Sequence, residues 1–377
     1  MTARRNFKKL VRERMDRTGE SFTTAARRLA GPVVTAAGQH RESVLVGHLL
    51  AAAGRPLSEA MVCGLGGGIG FMYAVFEYDT VPHPLLTIVA QHHPQPWAPA
   101  VLDRLGVAYR QTNGTSAKAA VDRLRTALDT GQPASCLVDR GRLPWQQPAP
   151  FSAAEPYTVA VTALTVDTLT VLDPPHGTRD LSLADFAAAW TSHRQGRHQL
   201  LSISAEPGRG VAPASGPDLR PAVHDALRTT VAHLTGPVLG NSFDVNFGFS
   251  GMAKLAAELR DTRTRKGWAR RFGDPAGHAH AMRRLADCME RDYTAPGATR
   301  PLYADFLDEA AELLAAPALT AAAALFRESG QTWSALAAHA AGTASADDLR
   351  AWCDHAAALV DTALSAERAA IGHLTTG

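Results

Sequence analysis

Residues Gly38–Leu50 read GQHRESVLVGHLL, and the folding of this stretch decides how the chain around it is read. From Gln39 to Ala53 the apolar residues Val44, Leu45, Leu49 and Ala52, with His48 among them, fall on one helical face. Gly54-Arg55-Pro56 then supplies the breakers that end a helix. The predicted helix opens on His40, Arg41 and Glu42. Unpaired amide groups at a helix N-terminus favour anions, so a cation there is disfavoured by roughly 0.3–1 kcal/mol at an exposed site. The sign reverses if an anion binds beside Arg41, or if a carboxylate such as Glu42 or Asp173 pairs with it.

Outward from this helix comes a glycine-rich stretch, CGLGGGIGF from Cys63 to Phe71, followed by short strand-like runs. These are Leu85 to Ala90, Val107 to Thr112, Ser135 to Asp139, Tyr157 to Leu164, Leu169 to Leu172 and Gln199 to Ser204. Tyr157 to Leu172 reads as a hairpin with Thr165-Val166-Asp167 at its tip, while Ala117 to Leu128 and Leu183 to Trp190 read as helices. The expected picture is an open antiparallel sheet with a helix in front of it. Between Glu206 and Pro221 periodicity gives way to Gly, Pro, Ala and Ser, the composition of a linker. Beyond it Leu302, Phe306, Leu307, Ala310, Leu313 and Leu314 form an amphipathic stripe, and Ala-rich segments from Ala318 and Asp347 continue the helical theme. The fold class is therefore α+β followed by all-α. The expected division is a basic helical segment over 1–30, an α+β domain over 31–206, a linker over 207–221 and a helical domain over 222–377.

At 377 residues, with 46% hydrophobic and 20% charged residues, the chain can bury a sizeable core and is not a disordered protein. Lys plus Arg is 38 against 36 Asp plus Glu, so the charge of +2 gives no basis for a nucleic-acid partner. No apolar run approaches the roughly 20 residues of a membrane span, and the basic start lacks the apolar stretch of a signal peptide. The expectation is a cytoplasmic protein without a membrane partner. Cys63, Cys136, Cys288 and Cys353 lie far apart, as suits reduced thiols, and form no zinc framework. Heavy use of Ala, Arg, Gly and Pro points to a high-GC bacterial genome. The first thirty residues carry nine Lys or Arg against three acidic residues, with Phe7, Leu10, Val11 and Met15 at helical spacing. That helix either packs on the main body with a solvated charged face or docks an acidic partner.

The glycine stretch does not make a nucleotide site. A dinucleotide fingerprint starting at Gly64 and Gly66 needs glycine at 69, where Ile69 stands, and no Gly-Lys-Ser or Gly-Lys-Thr is present for a phosphate loop. Residues without a Cβ here are expected to let backbone approach backbone closely. His92, His93, His176, His278 and His280 are too scattered for a metal centre, so neither metal nor cofactor is expected.

Four blocks of the first domain resemble the butirosin biosynthesis protein H family: Gly38–Leu50, LSEAMVCGLGGGIGFMY (Leu57 to Tyr73), CLVDRGRLPW (Cys136 to Trp145) and LDPPHGTRDLSLADFAAAW (Leu172 to Trp190). NFGFSGMAKLAAEL (Asn246 to Leu259), RPLYADFLDEAAELL (Arg300 to Leu314) and the Trp333 region resemble the helical domain that accompanies it. The resemblance implies a papain-like N-terminal domain and an acyltransferase of natural-product assembly. In that family a Cys at the N-terminus of the first long helix takes an aminoacyl group from a carrier protein, and a His on a later strand is the base. A helix N-terminus stabilises thiolate and imidazole removes its proton, so the arrangement is chemically sound.

This sequence departs from that pattern at both catalytic places. His40 is followed by Arg41 where the family has Cys, and Tyr157 and Thr158 stand where the base is expected, while the acidic third member survives as Asp173. Arginine does not attack thioesters, and a phenol with an ordinary pKa near 10 is a poor base at neutral pH. Ser43 and Cys63 are the remaining candidate nucleophiles. The resemblance thus implies a catalytic group of Arg41, Glu42, Tyr157 and Asp173, with substrate contacts from His40, Gly66, Gly67, Gly68 and Tyr73. The expected chemistry is closure of a ring by a substrate amine with loss of sulfate or phosphate on a carrier-bound amino-acid intermediate. Aminoacyl transfer, or an inactive subunit of a two-protein enzyme, is the alternative. The expected partners are an acidic amino-acid or acyl carrier protein, a companion subunit and a small-molecule amine.

Overall fold

Helix α1 (Arg41–Ala52) begins where the sequence places it, with His40 as the extended residue before its first turn. The computed structural model describes residues 38–79, 81–147, 152–153, 155–193, 196–204, 218–342 and 349–375, together with Arg12 and Met15. Of the basic segment over 1–30 only those two residues are described, both helical, and most of the 207–221 linker also lies outside the described residues.

The chain forms two units that are not contiguous in sequence, one from residues 1–58 and 106–217 and one from 59–105 and 218–377. The expected linear division at 207–221 therefore differs from the observed grouping, in which residues 59–105 belong with the C-terminal helices. The packing described below for the second unit gives the reason: the glycine stretch and the strands after it carry the apolar residues that those helices bury.

In the first unit six strands form one sheet in the order β3-β8-β4-β5-β6-β7, with every neighbouring pair antiparallel. The strands are β3 (Tyr109–Thr112), β4 (Ala134–Leu137), β5 (Thr158–Leu164), β6 (Thr168–Asp173), β7 (Gly177–Ser182) and β8 (Leu200–Ile203). The predicted hairpin is β5 and β6, turning at Thr165, where the backbone N–H donates to Thr168 O. Strand β7 has no apolar alternation, reading GTRDLS, and was not legible in the sequence. Leu45 of α1 packs on Ala160 of β5 and Leu172 of β6, so one helical face lies directly on the hairpin. The main core gathers Leu124 and Leu128 of α4 (Ala117–Asp129), Val159, Val161, Leu169 and Val171 of the strands, and Phe186 and Trp190 of α5 (Leu183–Ser192).

In the second unit α2 (Glu59–Leu65) runs straight into the glycine stretch, which leads into β1 (Ile69–Phe76) and its antiparallel partner β2 (Leu85–Gln91). The order helix, glycines, strand is the reverse of a nucleotide-binding turn. α3 (Trp97–Arg104), α6 (Arg220–Thr235), α7 (Gly248–Arg260), α8 (Trp268–Arg271), α9 (Pro275–Glu290), α10 (Arg300–Leu314), α11 (Pro317–Ala341) and α12 (Leu349–Thr375) complete the unit. Aromatic rings, rather than backbone, make the close approach at the glycines. A Cβ on Gly66 would lie 2.2 Å from Trp97, and one on Gly68, whose φ is +61°, would lie 2.3 Å from Tyr303.

Arg300 of α10, wholly buried, ties the strands to the helices. It donates to both carboxylate oxygens of the equally buried Glu367 (2.8 and 2.9 Å), to Ala90 O of β2 and to Gly70 O of β1. Glu367 also accepts from Ser329 and from Trp333 Nε1, so every charge in the group is hydrogen-bonded. Breaking such a pair leaves an uncompensated buried charge, so Glu367→Ala is expected to cost about 3–5 kcal/mol in urea unfolding, and Arg300→Met with Glu367→Leu to recover part of it.

Acid should destabilise the same unit. His92 and His233 are buried with ring centroids 4.7 Å apart, and His92 is lowered to about 3 by burial, then by repulsion from His233, Arg104 and His93. Burial also lowers His93 and His233. The unfolded chain, with imidazoles near 6.5, binds more protons between about pH 6.5 and 3 than the folded one, so stability is complete above 6.5 and falls as pH drops through that window. Chemical denaturation as a function of pH should show this slope, and His92→Gln should flatten it.

Candidate active site

The N-terminus of α1 is capped by its own first residues. His40 Nδ1 accepts from Ser43 N at 3.3 Å and lies 2.7 Å from Ser43 Oγ, and both side chains are about 1% exposed. His40 and Ser43 are thus buried capping groups; an accessible nucleophile and substrate contact are not what their positions provide.

Arg41 reaches from the first turn of α1 across the hairpin. Its guanidinium donates to Asp173 Oδ1 and Pro174 O through one terminal nitrogen and to Thr158 O through the other. The plane of the group lies over the Tyr157 ring, 3.7 Å from its centroid, a cation–π contact. Arg41 Nε is buried and makes no hydrogen bond. Because Asp173 sits where β6 ends and Thr158 where β5 begins, hairpin register alone brings these groups to the same end of the sheet.

Asp173, with no exposed side-chain surface, is where the cluster converges. Tyr157 OH donates to its Oδ1 (2.8 Å), Trp145 Nε1 to its Oδ2 (2.6 Å) and Gln146 Nε2 to its Oδ2 (3.3 Å), besides Arg41. Gln146 also donates to Tyr157 OH. Burial raises the Tyr157 phenol, Arg41 opposes this, and Asp173 raises it further, so Tyr157 is held as a donor and orients Asp173 rather than acting as a base. Glu42 accepts from Thr158 Oγ1 at 2.8 and 3.1 Å. Burial raises its carboxyl, with Arg41 and Thr158 pulling the other way, a direction that suits a proton acceptor.

The cluster therefore unites Arg41, Glu42, Tyr157 and Asp173 and adds Trp145, Gln146 and Thr158. The block CLVDRGRLPW ends on Trp145, but nothing in its spacing shows that an indole N–H meets a carboxylate 28 residues on. Gly66, Gly67, Gly68 and Tyr73 belong to the second unit. There Tyr73 is wholly buried, donating to Glu258 Oε2 (2.6 Å) and accepting from Trp268 Nε1 (2.9 Å), a core position that offers no surface to a substrate.

The four cysteines are buried and form no disulfide. Burial raises the Cys136 thiol, and raises Cys288 and Cys353 to about 11, the opposite of what an attacking thiolate needs. Among the described residues no group of three or more His, Cys, Asp or Glu is placed to hold a metal ion, and no helix is long and apolar enough to cross a membrane.

The cluster's asymmetry gives a test. Removing Arg41 leaves Asp173 with three neutral donors and no cation, whereas removing Asp173 takes one acceptor from each of Arg41, Tyr157, Trp145 and Gln146, with Pro174 O and Thr158 O still open to Arg41. Arg41→Ala, which leaves the wholly buried Asp173 charge without its cation, is expected to cost about 3–5 kcal/mol in urea unfolding, and Asp173→Ala less, because Arg41 is partly exposed and keeps two carbonyl acceptors.

Comparison with known families agrees with this architecture. Residues 40–174 match the model for the N-terminal domain of butirosin biosynthesis protein H, and residues 181–374 match a domain of unknown function, DUF4872. No curated protein matches the chain. The first match begins at the capping His40 and ends one residue past Asp173, spanning the whole Arg41 cluster, and the second covers half of the chain. The chain belongs to the butirosin biosynthesis protein H family, joined to a DUF4872 domain.

Proposed function

We propose that this protein is a natural-product biosynthetic enzyme, or enzyme subunit, that replaces cysteine acyl transfer with chemistry that needs no covalent enzyme intermediate, on a carrier-bound amino-acid substrate. The reaction class is closure of a ring by a substrate amine as an anionic group, sulfate or phosphate, departs. One observation carries the reading: at the helix N-terminus where the family has its nucleophile stands Arg41, set against Asp173, Tyr157 and the carboxyl of Glu42.

Such a reaction needs orientation, stabilisation of the leaving charge and an acceptor for the amine proton, with no protein nucleophile. Glu42 is the acceptor, because its raised carboxyl holds a proton more readily than an exposed one. Arg41 is the group for the departing anion. Its Nε has no acceptor, and its contacts to Pro174 O and Thr158 O are to neutral oxygens that a charged oxygen outcompetes. Asp173 keeps the guanidinium in place, and Trp145 and Gln146 keep Asp173 in place. The partners in this reading are an acidic carrier protein, a companion subunit and a small-molecule amine.

A second reading, an inactive subunit that supports a partner enzyme, is favoured by the commitment of both terminal nitrogens of Arg41 to internal acceptors. Sulfate separates the two. If Arg41 receives anions, millimolar sulfate raises the melting temperature of the wild type and not of Arg41→Ala; equal response in both favours the inactive subunit. On a sulfated or phosphorylated amine substrate, Arg41→Ala should turn over about a hundredfold slower, the roughly 3 kcal/mol of a lost donor to developing charge, with Arg41→Lys in between. Incubation with an aminoacyl thioester carrier should leave the intact mass of the protein unchanged. A covalent adduct on Ser43 or a cysteine would instead establish acyl transfer.

A further inference from the structure

Between α7 and α8 the chain concentrates cations without pairing them. Arg263, Arg265, Lys266 and Arg270 are exposed, and none makes an ion pair with a described carboxylate. The flanking arginines differ: Arg260 pairs with Asp361 at 2.7 Å, and Arg271 lies 3.5 Å from Glu77 and 3.7 Å from Glu258. The one carboxylate inside the loop, Asp261, faces inward. Its Oδ1 accepts from Arg263 N (2.7 Å) and Thr264 N (2.9 Å), and its Oδ2 accepts from Thr264 Oγ1.

The same loop is stitched at three further places. Lys266 N donates to Thr264 Oγ1, Gly267 N to Thr264 O, and Arg270 Nε to Thr262 O. Gly267 permits the closure, since a Cβ there would lie 1.7 Å from Asp261 O, and the next residue, Trp268, is buried in the core. A loop held this way loses little conformational freedom when a partner binds.

We infer that residues 261–270 form a docking surface for the acidic face of another protein. The inference rests on the proposed function only for the class of the partner, and adds where on the chain that partner sits. Charge complementarity carries it. In a chain whose total charge is only +2, four exposed cations within eight positions, of which Arg270 also feels the charge of Asp261, form a net positive local field, and local fields steer association of oppositely charged faces. Nucleic acid fits less well, because a typical duplex-binding protein neutralises about 6–10 phosphates and four cations supply fewer.

Fluorescence anisotropy of the full chain with labelled oligoglutamate, and with a labelled DNA duplex, tests the assignment. Oligoglutamate should bind at low salt and weaken about tenfold or more as salt rises to about 0.3 M, where screening shortens to several ångströms. Arg263→Ser with Arg265→Ser and Lys266→Ser should weaken binding about tenfold. The charge-matched control of Lys118→Ser, Arg142→Ser and Arg179→Ser should bind within about twofold of wild type, as position and not net charge decides. Equal loss in both triple variants, no binding of oligoglutamate by the wild type, or tighter binding of DNA would each overturn the assignment. None of these readouts involves Arg41, so failure here leaves the proposed chemistry standing, and failure of the sulfate experiment leaves this surface standing.

Discussion

The Asp173 carboxylate organises the first unit. A carboxylate with no exposed surface is costly unless each oxygen is matched, and here four side chains from three separate stretches match it: Arg41 from the helix, Trp145 and Gln146 from the segment after β4, and Tyr157 at the head of β5. Satisfying one buried acid thus ties the helix N-terminus, a loop and both strands of the hairpin at a single point. The first position of the helix is filled by the cation that completes this set.

The second unit follows the same physics with a different pair. Glu367 and Arg300 are both wholly buried, and their remaining donors and acceptors are taken by Ser329, Trp333, Ala90, Gly70 and Ala298. The carbonyls of Ala90 and Gly70 belong to the β1–β2 hairpin, so a charge from α10 fixes two strands among helices that come more than two hundred residues later. Buried ion pairs are commonly no more stabilising than apolar packing of equal volume, but losing one partner of such a pair is costly.

These networks separate residues that hold from residues that are available to act. Tyr157, Trp145 and Gln146 have their polar atoms committed to Asp173, and Tyr73 and His40 are committed to core and cap. Glu42, with its raised carboxyl, and the Nε edge of Arg41 are the parts of the cluster with chemical capacity left. At residues 261–270 the situation is inverted: the acid is committed and the cations are left over.

Periodicity and breakers were enough to place α1, the β5–β6 hairpin with its turn at 165–167, and the helical character of the C-terminal half, because local apolar spacing reports which face of an element is buried. That an arginine, Arg41, opens the first helix and that an acid stands at 173 were also legible, since both depend only on residue identity within quoted motifs. Strand β7 escaped notice because an edge strand with polar residues on both faces carries no alternation. Which side chains face Asp173, and that Tyr73 and the glycines serve the helical unit, could not be read from spacing. Both follow from contacts between stretches far apart in sequence, Trp145 with Asp173 and Gly68 with Tyr303, and only tertiary folding decides such contacts.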